Sequence, residues 1–98
     1  MVIVRLLMWD AFNVKHMAAR HGVTPEDVEQ VCHGEHFTTQ EHTGHLRVIG
    51  PTPDGWMLTI ILDPEPEPGV YYPVTARPAS RKERQLYQDA KGGGEQAA

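Results

Sequence analysis

The sequence predicts an α+β domain, a small twisted antiparallel sheet with helices gathered on one face. Three observations predict it. Apolar, β-branched runs recur at strand length between Pro- and Gly-rich turns. Two helix-start signals stand back to back after the first of these runs. A capping-box pattern then opens one last helix near the C-terminus. The resulting order is β-α-α-β-β-β-α, and strands joined by short turns favour antiparallel pairing.

Residues 2–9, Val-Ile-Val-Arg-Leu-Leu-Met-Trp, read as a largely buried strand with Arg5 as its polar exception. Asp10 can cap a helix from about Ala11 to His21, with Phe12, His16 and Ala19 on one stripe. Gly22 stands where a left-handed C-cap belongs. A second helix starts at once, with Thr24 as N-cap, Pro25 in the first turn and Glu26 and Asp27 complementing the dipole. Val28, Val31 and Cys32 form its apolar stripe, and Gly34 can end it.

After a polar stretch, Leu46–Ile49 and Trp56–Leu62 read as two strands of a hairpin, joined by the turn sequence Pro51-Thr52-Pro53-Asp54-Gly55. The three prolines between Asp63 and Gly69 exclude a central strand there, because proline donates nothing to a ladder. Val70–Ala76 is a further strand whose Pro73 suggests an edge or a bulge. Ser80 and Glu83 form the capping box of a helix running from Arg81 to about Lys91. Residues 1–91 are thus read as one domain and 92–98 as a flexible C-terminal tail. Trp9, Phe12, Val28, Val31, Leu58, Ile60, Val74 and Leu86 are expected in the core. Glu65, Glu67 and everything after Gly92 are expected in solvent.

Ninety-eight residues with 40% hydrophobic composition allow one modest core and exclude a wholly disordered chain. No apolar run approaches the roughly 20 residues a membrane span needs. Arg5 interrupts the opening Met-Val-Ile-Val and no small-residue cleavage site follows, so no signal peptide is expected. The single cysteine excludes an intramolecular disulfide framework and fits a reducing cytoplasm.

The net charge of −4 is uneven. Residues 24–67 carry −8, while Arg77–Arg84 alone carry +3. A basic patch on an acidic body suits RNA or an acidic partner, and equally a solvated helix face. Six histidines invite a metal site, but their spacings argue against one. His16 and His21 do not share a helix face, His33 and His36 straddle Gly34, and no zinc-binding pattern is present. No metal and no cofactor are therefore expected. Cys32 reads as a small buried hydrophobe rather than a nucleophile.

One constellation stands out: Arg77, Arg81, Glu83, Arg84 and Tyr87. Glu83 and Tyr87 share a helix face, arginine binds phosphate bidentately, and Glu and Tyr can move protons. A surface helix laced with ion pairs is the structural alternative.

The string from Val74 to Tyr87, Val-Thr-Ala-Arg-Pro-Ala-Ser-Arg-Lys-Glu-Arg-Gln-Leu-Tyr, resembles the ending of the BrnT-type toxins, roughly Ile-Ser-Ala-Arg-x-Ala-x-x-x-Glu-x-x-x-Tyr. Trp9-Asp10 and then Arg20-His21-Gly22-Val23 resemble that family's Trp-Asp and Lys-His-Gly-Val. Thr24–Cys32 resembles its next helix, and Gly50 with Asp54-Gly55 its central hairpin, so the likeness spans about residues 3–90. The resemblance implies a RelE-like fold and a toxin-like, metal-independent endoribonuclease of a type II toxin–antitoxin pair. Its partners would be an RNA substrate and a cognate antitoxin protein, with no membrane involved.

The chain departs from that pattern where the family commonly has Glu-Arg before the hairpin glycine. Gly44-His45 stands there instead, with Arg47 two positions on, and the family's helix-1 Asn falls on Met17. Two readings follow. In the first, Arg77 and Arg47 bind phosphate, His45 or His21 is the base or acid, and Glu83 and Tyr87 position groups or relay protons. If the strand ending at Arg77 lies beside that of His45 and Arg47, these side chains converge on one face. In the second, the domain is a non-catalytic protein-interaction module of the same fold, working through its sheet face or as a homodimer.

Overall fold

The computed structural model describes residues 3–96. Its elements are β1 (Leu6–Leu7), α1 (Ala11–His21), α2 (Pro25–His33), β2 (Phe37–Gln40), β3 (Leu46–Pro51), β4 (Met57–Pro64), β5 (Val70–Pro78) and α3 (Arg81–Gln96). The five strands form one sheet in the order β1-β5-β4-β3-β2. Every pairing is antiparallel except β1 with β5. Among the described residues no helix is long and apolar enough to cross a membrane.

Alternation along the strands sets the layers. Leu46 and Val48 of β3, Leu58, Ile60 and Leu62 of β4 and Ala76 of β5 point to one face and are buried. They pack with Met17 of α1 and Val28, Val31 and Cys32 of α2. α2 and the loop after it come so close to β3 that a Cβ on Gly50 would lie 2.9 Å from Val31 Cγ1 and 2.7 Å from the Glu35 carbonyl oxygen.

The expectation of helices on one face holds for α1 and α2. It fails for α3, whose Glu83 bonds to Arg47 and Thr59, residues that point to the other face. With both faces of the central strands covered, β4 reads as a nearly continuous apolar run.

The caps formed as the sequence predicts. Asp10 and Thr24 each make a reciprocal capping box, Gly22 closes α1 at φ 67, and Gly55 turns the β3–β4 hairpin at φ 92. The stripe of α1, however, is turned by one residue. Asn13 and Met17 are buried, whereas Phe12 is 75% exposed and stacks on His16. The cause is Asn13, whose side-chain amide donates to the Met8 and Pro73 carbonyls at 3.1 Å each and so ties α1 to β5.

Further expectations are corrected. The first strand is two residues long, because β1 only edges the sheet beside β5. Phe37–Gln40, within the polar stretch, pairs with β3 as β2, its Thr38 and Thr39 being β-branched residues that suit a half-covered edge. Val74 is exposed because the register shifts between Ile61 and Leu62, leaving it as the extra residue of a bulge beside Pro73. Trp9, Leu86 and Glu65 are half-buried. α3 continues past Lys91 to Gln96, and the exposure expected after Gly92 lies outside the described side chains.

Candidate functional site

On the face opposite α1 and α2, Arg47 of β3, Thr59 of β4 and Arg77 of β5 lie close together. Thr59 is paired with Arg77 on one side and Ile49 on the other, which puts Arg47 diagonally across from it. The condition set for convergence, that β5 lie beside β3, is not met, because β4 lies between them. A carboxylate bridges the gap.

That carboxylate is Glu83, and its position follows from the start of α3. Ser80 Oγ accepts from the Glu83 amide at 3.1 Å, and Glu83 Oε1 accepts from the Ser80 amide at 2.9 Å. This capping box folds the side chain back over the sheet. Oε1 also accepts from Arg77 Nη1 at 2.7 Å and Thr59 Oγ1 at 2.9 Å. Oε2 accepts from Arg77 Nη2 at 2.7 Å and Arg47 Nη1 at 3.2 Å. Arg47 Nε reaches Thr39 Oγ1 at 3.1 Å and lies 3.4 Å from Glu41 Oε2.

Glu83 is buried at 5% exposure, and burial alone would push its carboxyl up. The hydrogen bonds from Arg77, the Ser80 amide and Thr59, with the Arg77 charge, outweigh burial and bring it down to about 2. Its hydrogen bond to Glu83 in turn raises Arg77. Glu83 is therefore ionised at neutral pH, where it holds the two guanidiniums together. The two guanidiniums keep access to solvent, with side chains 38% exposed for Arg77 and 25% for Arg47.

The remaining candidates lie at different distances from this cluster. His45 precedes Arg47 by two residues, about 7 Å along an extended chain. Its Nδ1 lies 2.7 Å from Thr43 Oγ1, and its Nε2 is 4.0 Å from Asp63 Oδ1, across from it on β4. Tyr87 is one turn beyond Glu83 on α3, with Lys91 Nζ 5.9 Å from its ring centroid. Burial and the charge of Glu35 push its phenol up. His21 ends α1, on the opposite face of the sheet, and so is not brought to the cluster.

Thr59, Thr39 and Glu41 belong to the site and were not foreseen. A single polar residue inside the apolar run of β4 was the available signal for Thr59. Thr39 and Glu41 depend on β2, which the sequence reading left as a polar stretch. Among the described residues, no group of three or more His, Cys, Asp or Glu side chains could hold a metal ion. Neither the models of known protein families nor the curated proteins compared with this chain give a match.

Proposed function

We propose that the chain is a toxin-like, metal-independent endoribonuclease that acts in the cytoplasm and is inhibited by a cognate antitoxin protein. The observation that carries this reading is the meeting of Arg47 and Arg77, from different strands, on one partly open face beside His45. Cleavage needs a base for the 2′-hydroxyl proton, cations for the charge on the phosphorane, and an acid for the departing 5′-oxygen. Arg47 and Arg77 supply the cations, with Glu83 holding them in place. His45 takes the 2′-hydroxyl proton, because an imidazole can accept or donate under physiological conditions. The 2′-oxygen bonds to phosphorus as the P–O5′ bond breaks, and the 5′-oxygen leaves with the proton that His45 took up, which returns the imidazole to its starting state.

The second reading, a protein-interaction module, is favoured by one observation. Glu83 and Glu41 already balance both arginines. Expression of the chain alone in bacteria separates the two. Growth arrest by the wild type that His45→Ala relieves supports the nuclease; normal growth with folded wild type supports the module.

A further inference from the structure

Beside the arginine cluster, the β3–β4 turn and the start of α3 enclose a groove of about 410 Å3. Gly55, Trp56, Met57, Pro78, Ala79 and Arg84 line it. Its size suits a small-molecule or cofactor-sized group. Trp56 is 45% exposed, although its turn is held rigidly. The Thr52 amide donates to the Trp56 carbonyl at 2.7 Å, and the Gly55 amide to the Thr52 carbonyl at 2.9 Å. The Trp56 amide donates to Thr52 Oγ1 at 3.1 Å. An indole left in water forgoes the gain of burial, and one mounted on a rigid turn is pre-organised to receive a flat partner.

The opposite wall is equally well anchored and carries charge. The Ala79 amide donates to the Met57 carbonyl at 2.8 Å, and Arg84 Nη1 to the Ala79 carbonyl at 3.0 Å. The surrounding segment Arg77–Arg84 carries +3, and its one acid, Glu83, is buried in the cluster. Arg77 Nη1 lies 3.5 Å from the carbonyl oxygen of Pro78, so the groove adjoins the Arg77 guanidinium. An exposed aromatic platform across a groove from a basic segment complements a single-stranded polyanion with π-faced bases.

We infer that the groove is a base-stacking subsite for single-stranded RNA. The Trp56 indole stacks on the base next to the phosphate held by Arg47 and Arg77, while Arg84 attracts the flanking phosphate. This rests on the ribonuclease reading and adds where the substrate lies. Stacking tolerates any base, so the subsite sets the path of the strand and not a sequence preference.

The test is the affinity of a short 2′-O-methyl oligoribonucleotide, which binds but cannot form the cyclic phosphate, measured by fluorescence anisotropy. Trp56→Ala should weaken binding about tenfold or more. Trp56→Phe should retain most of the affinity, and an abasic oligonucleotide should bind wild type and Trp56→Ala alike. Equal affinity of wild type and Trp56→Ala for the intact oligonucleotide overturns the subsite, and is the outcome expected of a protein-docking groove. If that equality accompanies RNA cleavage by the wild type, only the subsite falls. A wild type that neither binds the oligonucleotide nor cleaves RNA overturns both.

Discussion

Arg77 and Glu83 meet fork to fork, Nη1 and Nη2 each lying 2.7 Å from a different carboxylate oxygen. The pair joins the last strand to the last helix, and with Arg47 and Thr59 it pins α3 across the sheet. Bidentate charge-assisted bonds of this kind combine strength with fixed orientation. Replacing Glu83 by Ala strips a partner from Thr59, Ser80 and both arginines at once, and should cost about 3 kcal/mol. Arg77→Ala should cost less, since Arg77 is partly solvated and Glu83 keeps its other donors. Urea denaturation monitored by circular dichroism measures both; equal, negligible losses would mean that the staple holds nothing.

The same carboxylate should give the fold an acid-sensitive term. Its folded-state value near 2 lies below the ordinary carboxylate range, so its stabilisation is present above about pH 4.5 and is lost as pH falls towards 2. The linkage amounts to roughly 3 kcal/mol. Wild type should therefore lose more stability between pH 5 and pH 2.5 than Glu83→Gln does. Parallel curves for the two proteins would contradict the assignment.

Cys32 lies 2% exposed in the core, and burial, followed by the charge of Glu29, pushes its thiol up to about 12. Only the thiolate is nucleophilic, so the folded protein should react with a disulfide reagent at pH 8 no faster than it opens. Addition of denaturant should release one equivalent of reactive thiol at once. Rapid stoichiometric reaction of the native protein would show that the α2 face is not packed as described.

Gly50 faces the Glu35 carbonyl and Val31 across a gap that admits no Cβ. Gly50→Ala should force the β3–α2 contact apart and cost about 1–3 kcal/mol. Gly44, at φ 90 with open space around it, gives the contrasting case. Alanine there should be penalised through its backbone conformation alone, by roughly 1 kcal/mol. Thermal melts of the two variants test whether close packing or torsion is responsible.

What the sequence revealed was whatever a few neighbouring residues decide. The Asp10, Thr24 and Ser80 caps and the Gly22 and Gly55 turns are local and were legible, and of the edge or bulge that Pro73 suggested it is the bulge that formed. The inward turn of Asn13 was not, because its partner at Pro73 is 60 residues away. Nor was the face chosen by α3, which depends on where Arg47 and Thr59 lie after the sheet has formed. Arg77 and Glu83 could be proposed together from their types and spacing, and Arg47 joined them only through the resemblance to a known family. That Glu83 would be ionised and enclosed by five donors required the fold.

The most direct measurement is cleavage of a short single-stranded RNA by the purified protein in the presence of a chelator. Wild type should produce fragments ending in 2′,3′-cyclic phosphate. His45→Ala, which leaves the Glu83 staple intact, should fold normally and cleave on the order of a hundredfold more slowly. Arg77→Lys keeps a charge beside Glu83 but loses the fork, and should also be impaired. Folded wild-type protein that leaves the RNA intact, or a His45→Ala variant as active as wild type, would contradict the assignment of this face to RNA cleavage.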